Sequence, residues 1–244
     1  MGTEDKMRSP YGLELVEDCQ TCSNKADGFF CDLSPEGLKA FEAIKYTTAY
    51  PAGAVLFVEG QSAQGVFLLC KGRVKLSMTS SEGKTLILRI VKPGEILGLH
   101  ATVSDTAFQA TAETLEPCQV NFIKRDDFLR LLREHGDASI HAAQQLSGSY
   151  QTACEQVRSL GLSQSAPEKL ARFLLEWSSK GQPSKQGIRV KLTLTHEEIG
   201  QIIGTSRETV TRTLGEFKSK HLAELKGSTL VIQNKAALEA FLGG

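Results

Sequence analysis

The spacing of apolar positions changes twice along the chain, and each change marks a new kind of element. Leu38, Phe41 and Ile44 recur three apart behind Ser34-Pro35-Glu36. A serine that can accept from free amides, followed by proline at the first helical position, predicts the start of a short amphipathic helix. From about Thr47 to Phe122 that period is lost. Short runs rich in β-branched and aromatic residues replace it: Val55-Leu56-Phe57-Val58, Val66-Phe67-Leu68-Leu69, Val74-Lys75-Leu76-Ser77-Met78 and Leu86-Ile87-Leu88-Arg89-Ile90. Pro51-Ala52-Gly53, Glu59-Gly60, Lys71-Gly72, Ser81-Glu82-Gly83 and Pro93-Gly94 punctuate them. Many short strands at near-regular spacing predict a small antiparallel barrel or roll.

Helical spacing returns from Asp126 and breaks near His135-Gly136. Beyond the break, Ala143, Leu146, Tyr150, Ala153, Val157 and Leu160 step by three and four. Gln144, Gln145, Ser149, Gln151, Glu155 and Arg158 make the other faces polar. This is an a/d seam, expected to pair with a second copy of itself. Gly161-Leu162-Ser163-Gln164-Ser165-Ala166-Pro167 reads as a hinge. A helix through Leu170, Phe173, Leu174 and Trp177 follows, then a polar loop from Gly181 to Gly187, an alternating strand from Ile188 to Leu194, two helices and a hairpin around Lys226-Gly227-Ser228. The predicted class is α+β. Residues 1–33 form a cysteine-containing segment, 34–130 a β-roll, 131–160 a dimerisation helix, and 161–244 a C-terminal helical module.

With 41% hydrophobic and 23% charged residues, the 244-residue chain is globular in composition. Its net charge is zero, but residues 161–244 carry 12 Lys and Arg against 8 Asp and Glu. That leaves +4 on the C-terminal module and −4 on the rest, a balance that suits an anionic partner at the C-terminal end. No apolar run is long enough to cross a membrane, and the acidic first 30 residues lack the apolar core of a secretory signal. A cytoplasmic protein is therefore expected, and its six cysteines are read as metal or redox thiols before disulfides.

Within the C-terminal module, Thr195-His196-Glu197-Glu198 fits a capping box, and its helix continues through Ile199, Ile202 and Ile203 to Gly204. Ser206 then caps a second helix. Helix, short glycine-containing turn and helix form the helix-turn-helix outline. On the second helix, at 100° per residue, Val210, Leu214 and Phe217 share one side. Arg207, Glu208, Thr211 and Arg212 share another. Arginine binds guanine O6 and N7 with two hydrogen bonds, and glutamate accepts from cytosine N4. A carboxylate among arginines points to reading of base edges over general attraction to phosphate. The strands around 222–226 and 229–232 would form a wing, with Lys218, Lys220 and Lys226 near phosphates or simply solvated.

The run from Glu198 to Arg212 resembles the helix-turn-helix of the Crp/Fnr family of bacterial transcription regulators. The segments 53–60 and 66–76 resemble that family's β-roll. The resemblance covers nearly the whole chain. It implies a homodimer with a sensory roll, a dimerisation helix and a winged helix-turn-helix that binds double-stranded DNA. Arg207, Glu208 and Arg212 match the family's Arg-Glu-x-x-x-Arg base readers, with Thr211, Ser206 and Thr195 beside them. This arrangement is that of the cyclic-AMP receptor branch and implies a TGTGA-like half-site. The turn around Ser80 to Gly83 would meet RNA polymerase. No enzyme is expected: Cys19-x2-Cys22 lacks the βαβ setting of a dithiol oxidoreductase, and no phosphate loop, dinucleotide fingerprint or nucleophile elbow occurs.

The signal is a separate question. The cyclic-AMP branch carries Gly-Glu-Leu and then Arg-Ser-Ala, whereas this chain has Gly98-Leu99-His100-Ala101 and later Phe108-Gln109-Ala110-Thr111. No arginine lies between Arg89 and Arg125. A buried phosphodiester without its cation is costly, so cyclic AMP is not expected as a ligand. Cys19, Cys22 and Cys31 are clustered, and Cys118 follows a stretch resembling the Fnr branch, where a β-roll cysteine completes an iron–sulfur (4Fe-4S) cluster. Cys19, Cys22, Cys31 and Cys118 are the expected ligands. The same thiols would also suit zinc, or remain unligated. Cys70, within a strand run, is read as core packing, and Cys154 as flanking the seam.

Overall fold

A computed structural model describes residues 11–13, 15, 16, 18–20, 22, 31–161, 165–184 and 187–242, without the side chains of 159–161 and 180. The chain divides after Thr152 into two compact units.

The first unit opens with helix α1 (Pro35–Ile44). Ser34 caps it by accepting from the Gly37 N–H, and the Ser34 N–H donates to Asp137 at 2.7 Å. Strands β1 (Lys45–Tyr50), β2 (Val55–Phe57), β3 (Gly65–Lys71), β4 (Val74–Thr79), β5 (Thr85–Val91), β6 (Ile96–Leu97), β7 (Thr111–Thr114) and β8 (Cys118–Lys124) follow. They form two antiparallel four-stranded sheets, one in the order β1-β8-β3-β6 and one in the order β2-β7-β4-β5. This is the roll expected from the short apolar runs. Helix α2 (Leu99–Ser104), entered through left-handed Gly98, was not evident in the sequence.

The sheet containing β3 and β8 is covered on both faces, because side chains alternate along each strand. Val66, Leu68 and Ile123 point to one side, where they share a core with Leu38, Phe41, Phe128, Leu131, Ala138 and Ala142. Leu69, Val120 and Cys118 point to the other, into the space between the sheets, with Phe57, Val74, Val91, Phe108 and Ala112. The register fixes this division: Leu68 pairs with Asn121 and Leu69 with Val120.

Helix α3 (Arg125–Glu134) is separated from α4 (Gly136–Gly161) at His135, as the pattern implied. The buried amide of Gln145 on α4 satisfies both main-chain groups of Ile96. Its Oε1 accepts from the Ile96 N–H at 2.8 Å, and its Nε2 donates to the Ile96 carbonyl at 2.6 Å. One side chain thus replaces the missing neighbour strand at the edge of the sheet.

The second unit takes in the end of α4 and then α5 (Ala166–Trp177), β9 (Gln182–Ser184), β10 (Gly187–Lys191), α6 (His196–Ile203), α7 (Arg207–Ser219), β11 (Ala223–Lys226), β12 (Thr229–Ile232) and α8 (Lys235–Glu239), with short 3-10 turns after α5 and α8. Its sheet runs β11-β12-β10-β9. The stretch read as a polar loop thus holds β9, and the strand expected over 188–194 ends at Lys191. The C-terminal hairpin is followed by α8, which Asn234 caps by accepting from the Ala237 N–H. Helices α6 and α7 meet at a tight turn. Gly204 is left-handed (φ 67°), and a β-carbon at Gly200 would stand 2.7 Å from the Thr205 carbonyl oxygen.

Two stability predictions follow from these contacts. Gln145→Leu leaves the Ile96 N–H and carbonyl without their partner and should cost about 2–4 kcal/mol in urea unfolding followed by circular dichroism. A change below about 0.5 kcal/mol would show that water replaces the amide freely. Gly200→Ala should lower the thermal midpoint of the second unit, since backbone must move by several tenths of an ångström; the expected cost is about 1–3 kcal/mol. An unchanged midpoint would show that the turn yields without strain.

Candidate nucleic-acid interface and sensory thiols

Local capping builds the helix pair. Thr195 Oγ1 accepts from the Glu198 N–H at 3.1 Å, and the Thr195 N–H donates to Glu198 Oε2 at 2.9 Å. Both halves of the expected capping box are present. Ser206 accepts from the Thr209 N–H at 3.2 Å and starts α7. Both hydroxyls, expected beside DNA, are engaged as caps.

On α7 the division of faces follows the sequence pattern. Val210, Leu214 and Phe217 are buried, joined by Thr213. Arg207, Glu208, Thr211 and Arg212 are all exposed. The ridge is ordered by its own bonds. Thr211 Oγ1 donates to the Arg207 carbonyl at 2.9 Å and lies 2.8 Å from His196 Nδ1. The Glu208 carboxyl is held below its usual range by its own N–H, the Ser206 hydroxyl and the adjacent Arg207 charge. It therefore stays ionised at neutral pH, as an acceptor must. His196 escaped the sequence reading, although it sits at the first position of α6. Gly200 escaped it too, although a glycine between apolar helix positions signals close packing.

The wing lysines differ from one another. Lys218 and Lys226 both pair with Glu224, at 2.7 and 3.0 Å, and lower its carboxyl pKa. Lys220 is exposed.

Along α4, Ala143, Ala153 and Val157 are exposed, Val157 at 72%, and Tyr150 is also 72% exposed. Ile140, 60% exposed, extends this stripe one step earlier. Leu146 is half-buried and packs on the roll's outer core. The Leu160 side chain lies outside the described residues.

The four cysteines expected to share a centre are not brought together. Cys118 starts β8 on the face between the sheets and is buried. Its Sγ donates to the carbonyls of Glu116 at 3.1 Å and Arg73 at 3.4 Å. Burial pushes its thiol up to about 11. Surrounded by acceptors, this sulfur is held as a thiol. Cys19 belongs to the opposite face. The segment carrying it is tied to the sheet by Gln119, whose side chain accepts from the Val16 N–H at 2.9 Å and donates to the Val16 carbonyl at 2.6 Å. The Cys19 N–H donates to Glu42 Oε1, and Lys45 Nζ donates to Cys19 Sγ at 3.3 Å. Cys70 lies on this same face: Asn121 Nδ2 donates to its Sγ at 3.2 Å. Among the described residues, no three His, Cys, Asp or Glu side chains already stand close enough to hold a metal ion.

The interior of the roll is aromatic where α2 meets the strands. Phe57 stacks on Phe108 at 3.9 Å between ring centroids, and Phe67 lies 5.5 Å from Phe57, whereas Leu99 is buried in the outer core under the helices. Among the described residues, no helix is long and apolar enough to cross a membrane.

Comparison with known proteins accords with both units. The cyclic nucleotide-binding domain model matches residues 47–135, and the Crp-like helix-turn-helix domain model matches 168–241. The cAMP-activated global transcriptional regulator CRP of Pasteurella multocida is 27% identical over 184 residues, covering 75% of this chain and 88% of that protein. The global nitrogen regulator of Synechocystis is 27% identical over 187 residues, with 75% and 82% covered. The structure of FixK2 from Bradyrhizobium japonicum superposes with a TM-score of 0.72 at 22% identity, covering 81% of this chain and 97% of that one. The two domain matches account for both units, and the chain belongs to the Crp/Fnr family of DNA-binding, non-enzymatic transcription regulators.

Proposed function

We propose that two copies of the chain pair along α4 and read a TGTGA-like palindrome. The exposed ridge of Arg207, Glu208, Thr211 and Arg212, opposite a buried apolar stripe, carries this reading. The arginines suit guanine and the ionised Glu208 suits cytosine. The pairing rests on the apolar stripe of α4, whose Ala143, Ala153 and Val157 are exposed in the single chain. A two-fold pair would set the recognition helices about 34 Å apart, one DNA turn. The turn at Ser80–Gly83, exposed between β4 and β5, is the proposed contact for RNA polymerase, and the cytoplasm the proposed compartment.

We assign the signal to the N-terminal thiols, held as a redox-responsive iron–sulfur centre, with zinc or a metal-free, small-effector regulator as the alternatives. Support for a thiol input over cyclic AMP comes from the roll. Leu99, buried in the outer core, stands where the cyclic-AMP branch has an acid, residues 90–124 contain no arginine, and Phe57 and Phe108 stack in the core between the sheets. A bound centre would supply a thiolate-to-metal bond set that responds to oxidants. The chain's own part is to hold the segment of Cys19 against the face where α1, α3 and α4 pack.

Gel-shift titration against single-base variants of the palindrome tests the ridge. Arg207→Ala should relax specificity at one base pair by about 1–3 kcal/mol. A uniform loss on all sequences would make Arg207 a phosphate contact. For the seam, Val157→Asp should shift sedimentation from dimer to monomer and weaken palindrome binding at least tenfold. An unchanged dimer would remove α4 as the pairing surface.

A further inference from the structure

We infer that the thiolate site is completed by Cys70 of β3, and that Cys118 has no part in it. The inference rests on the proposed thiol-held centre and names the residue that closes it.

Three observations carry it. The first is topological. Lys45, Thr47, Cys70, Gln119 and Asn121 share the outer face of the sheet. Thr47 pairs with Asn121 across β1 and β8, and their side chains are bonded at 2.7 Å. Asn121 in turn reaches Cys70 Sγ, Lys45 reaches Cys19 Sγ, and Gln119 holds the segment leading to Cys19. Cys19 and Cys70 pack against the same outer core, whereas Cys118 belongs to the core between the sheets. The sheet stands between the Cys118 sulfur and Cys19.

The second observation is the sign of the hydrogen bonds. Cys19 and Cys70 each receive an N–H donor, from Lys45 and Asn121. Donors directed at sulfur stabilise a thiolate and are the usual surroundings of metal-bound cysteine. Cys70 also makes a long 3.9 Å contact to the Leu68 carbonyl. Cys118 faces two carbonyl oxygens, which would repel a thiolate.

The third is proximity to the remaining thiols. Cys31, Cys19, Cys22 and Lys45 all lie close enough to Cys70 for their charges to act on it. Cys70 is thus within electrostatic reach of all three N-terminal cysteines. No three of these sulfurs yet stand at ligating distance, so a thiophilic centre would have to draw them together, exchanging their protons for metal. A single zinc ion and an iron–sulfur cluster both fit four thiolates.

The test uses the full chain and two loading mixtures under anaerobic conditions: ferrous iron with sulfide, and cobalt(II) as a spectroscopic stand-in for zinc. Iron, sulfide and cobalt are assayed per chain, and the mixture that loads identifies the centre. The key variant is the double substitution Cys118→Ser, Cys154→Ser, which leaves Cys19, Cys22, Cys31 and Cys70 as the only thiols. It should load one centre per chain with the sulfur-to-metal absorption of the unaltered protein. Cys70→Ser, its fold checked by circular dichroism, should fail to load or lose about a quarter of that absorption, as four thiolates become three. Loss of the centre in the double variant, or full retention in Cys70→Ser, overturns the assignment while the thiol-held centre stands. Failure of the unaltered chain to load with either mixture overturns both.

Discussion

Alternation of side chains across one doubly covered sheet is the constraint on which the sensory unit depends. Along β8, and along β3 as far as Leu69, each step of one residue moves a side chain from the core under the helices to the core between the sheets; a bulge at Cys70 then interrupts the alternation. Both faces are buried, so a slip of one residue would place Asn121 and Gln119 among phenylalanines and would leave Val66 and Leu68 on the wrong side. The register is therefore held by hydrophobic burial on two fronts at once. Polar groups on the outer face are then free to have specific partners: Gln119 takes a main-chain segment, Asn121 a sulfur and a hydroxyl.

The DNA-reading unit was legible because its information is local. A cap, a glycine and the spacing of Val210, Leu214 and Phe217 define α7 and its buried side without reference to distant residues. The same holds for Ser34 and Pro35 at α1 and for the break at His135. What was not legible depends on partners far along the chain. Gln182-Pro183-Ser184 has no apolar signal and becomes a strand only because β10 offers a free edge. Helix α2 is six residues long and too short to show a period.

The thiols show the limit most clearly. Val66 to Leu69 is an unbroken apolar run, as a strand buried on both faces should be, so it does not reveal which way Cys70 points. Cys118 stands next to Gln119, and that single step separates the two cores. The seam on α4 is an intermediate case. Its period was readable, but Leu146 is divided between the stripe and the roll's own core, which only the packing of α4 on the sheet could show.

Gln145 gives the long helix one anchoring point. Sliding α4 by a single residue would carry that amide about 1.5 Å along the axis and turn it by roughly 100°, breaking both bonds to Ile96. The same stretch of helix lays Ala138, Ala142 and Leu146 on the outer core, so one amide and a short apolar face together set the height of α4 on the sheet.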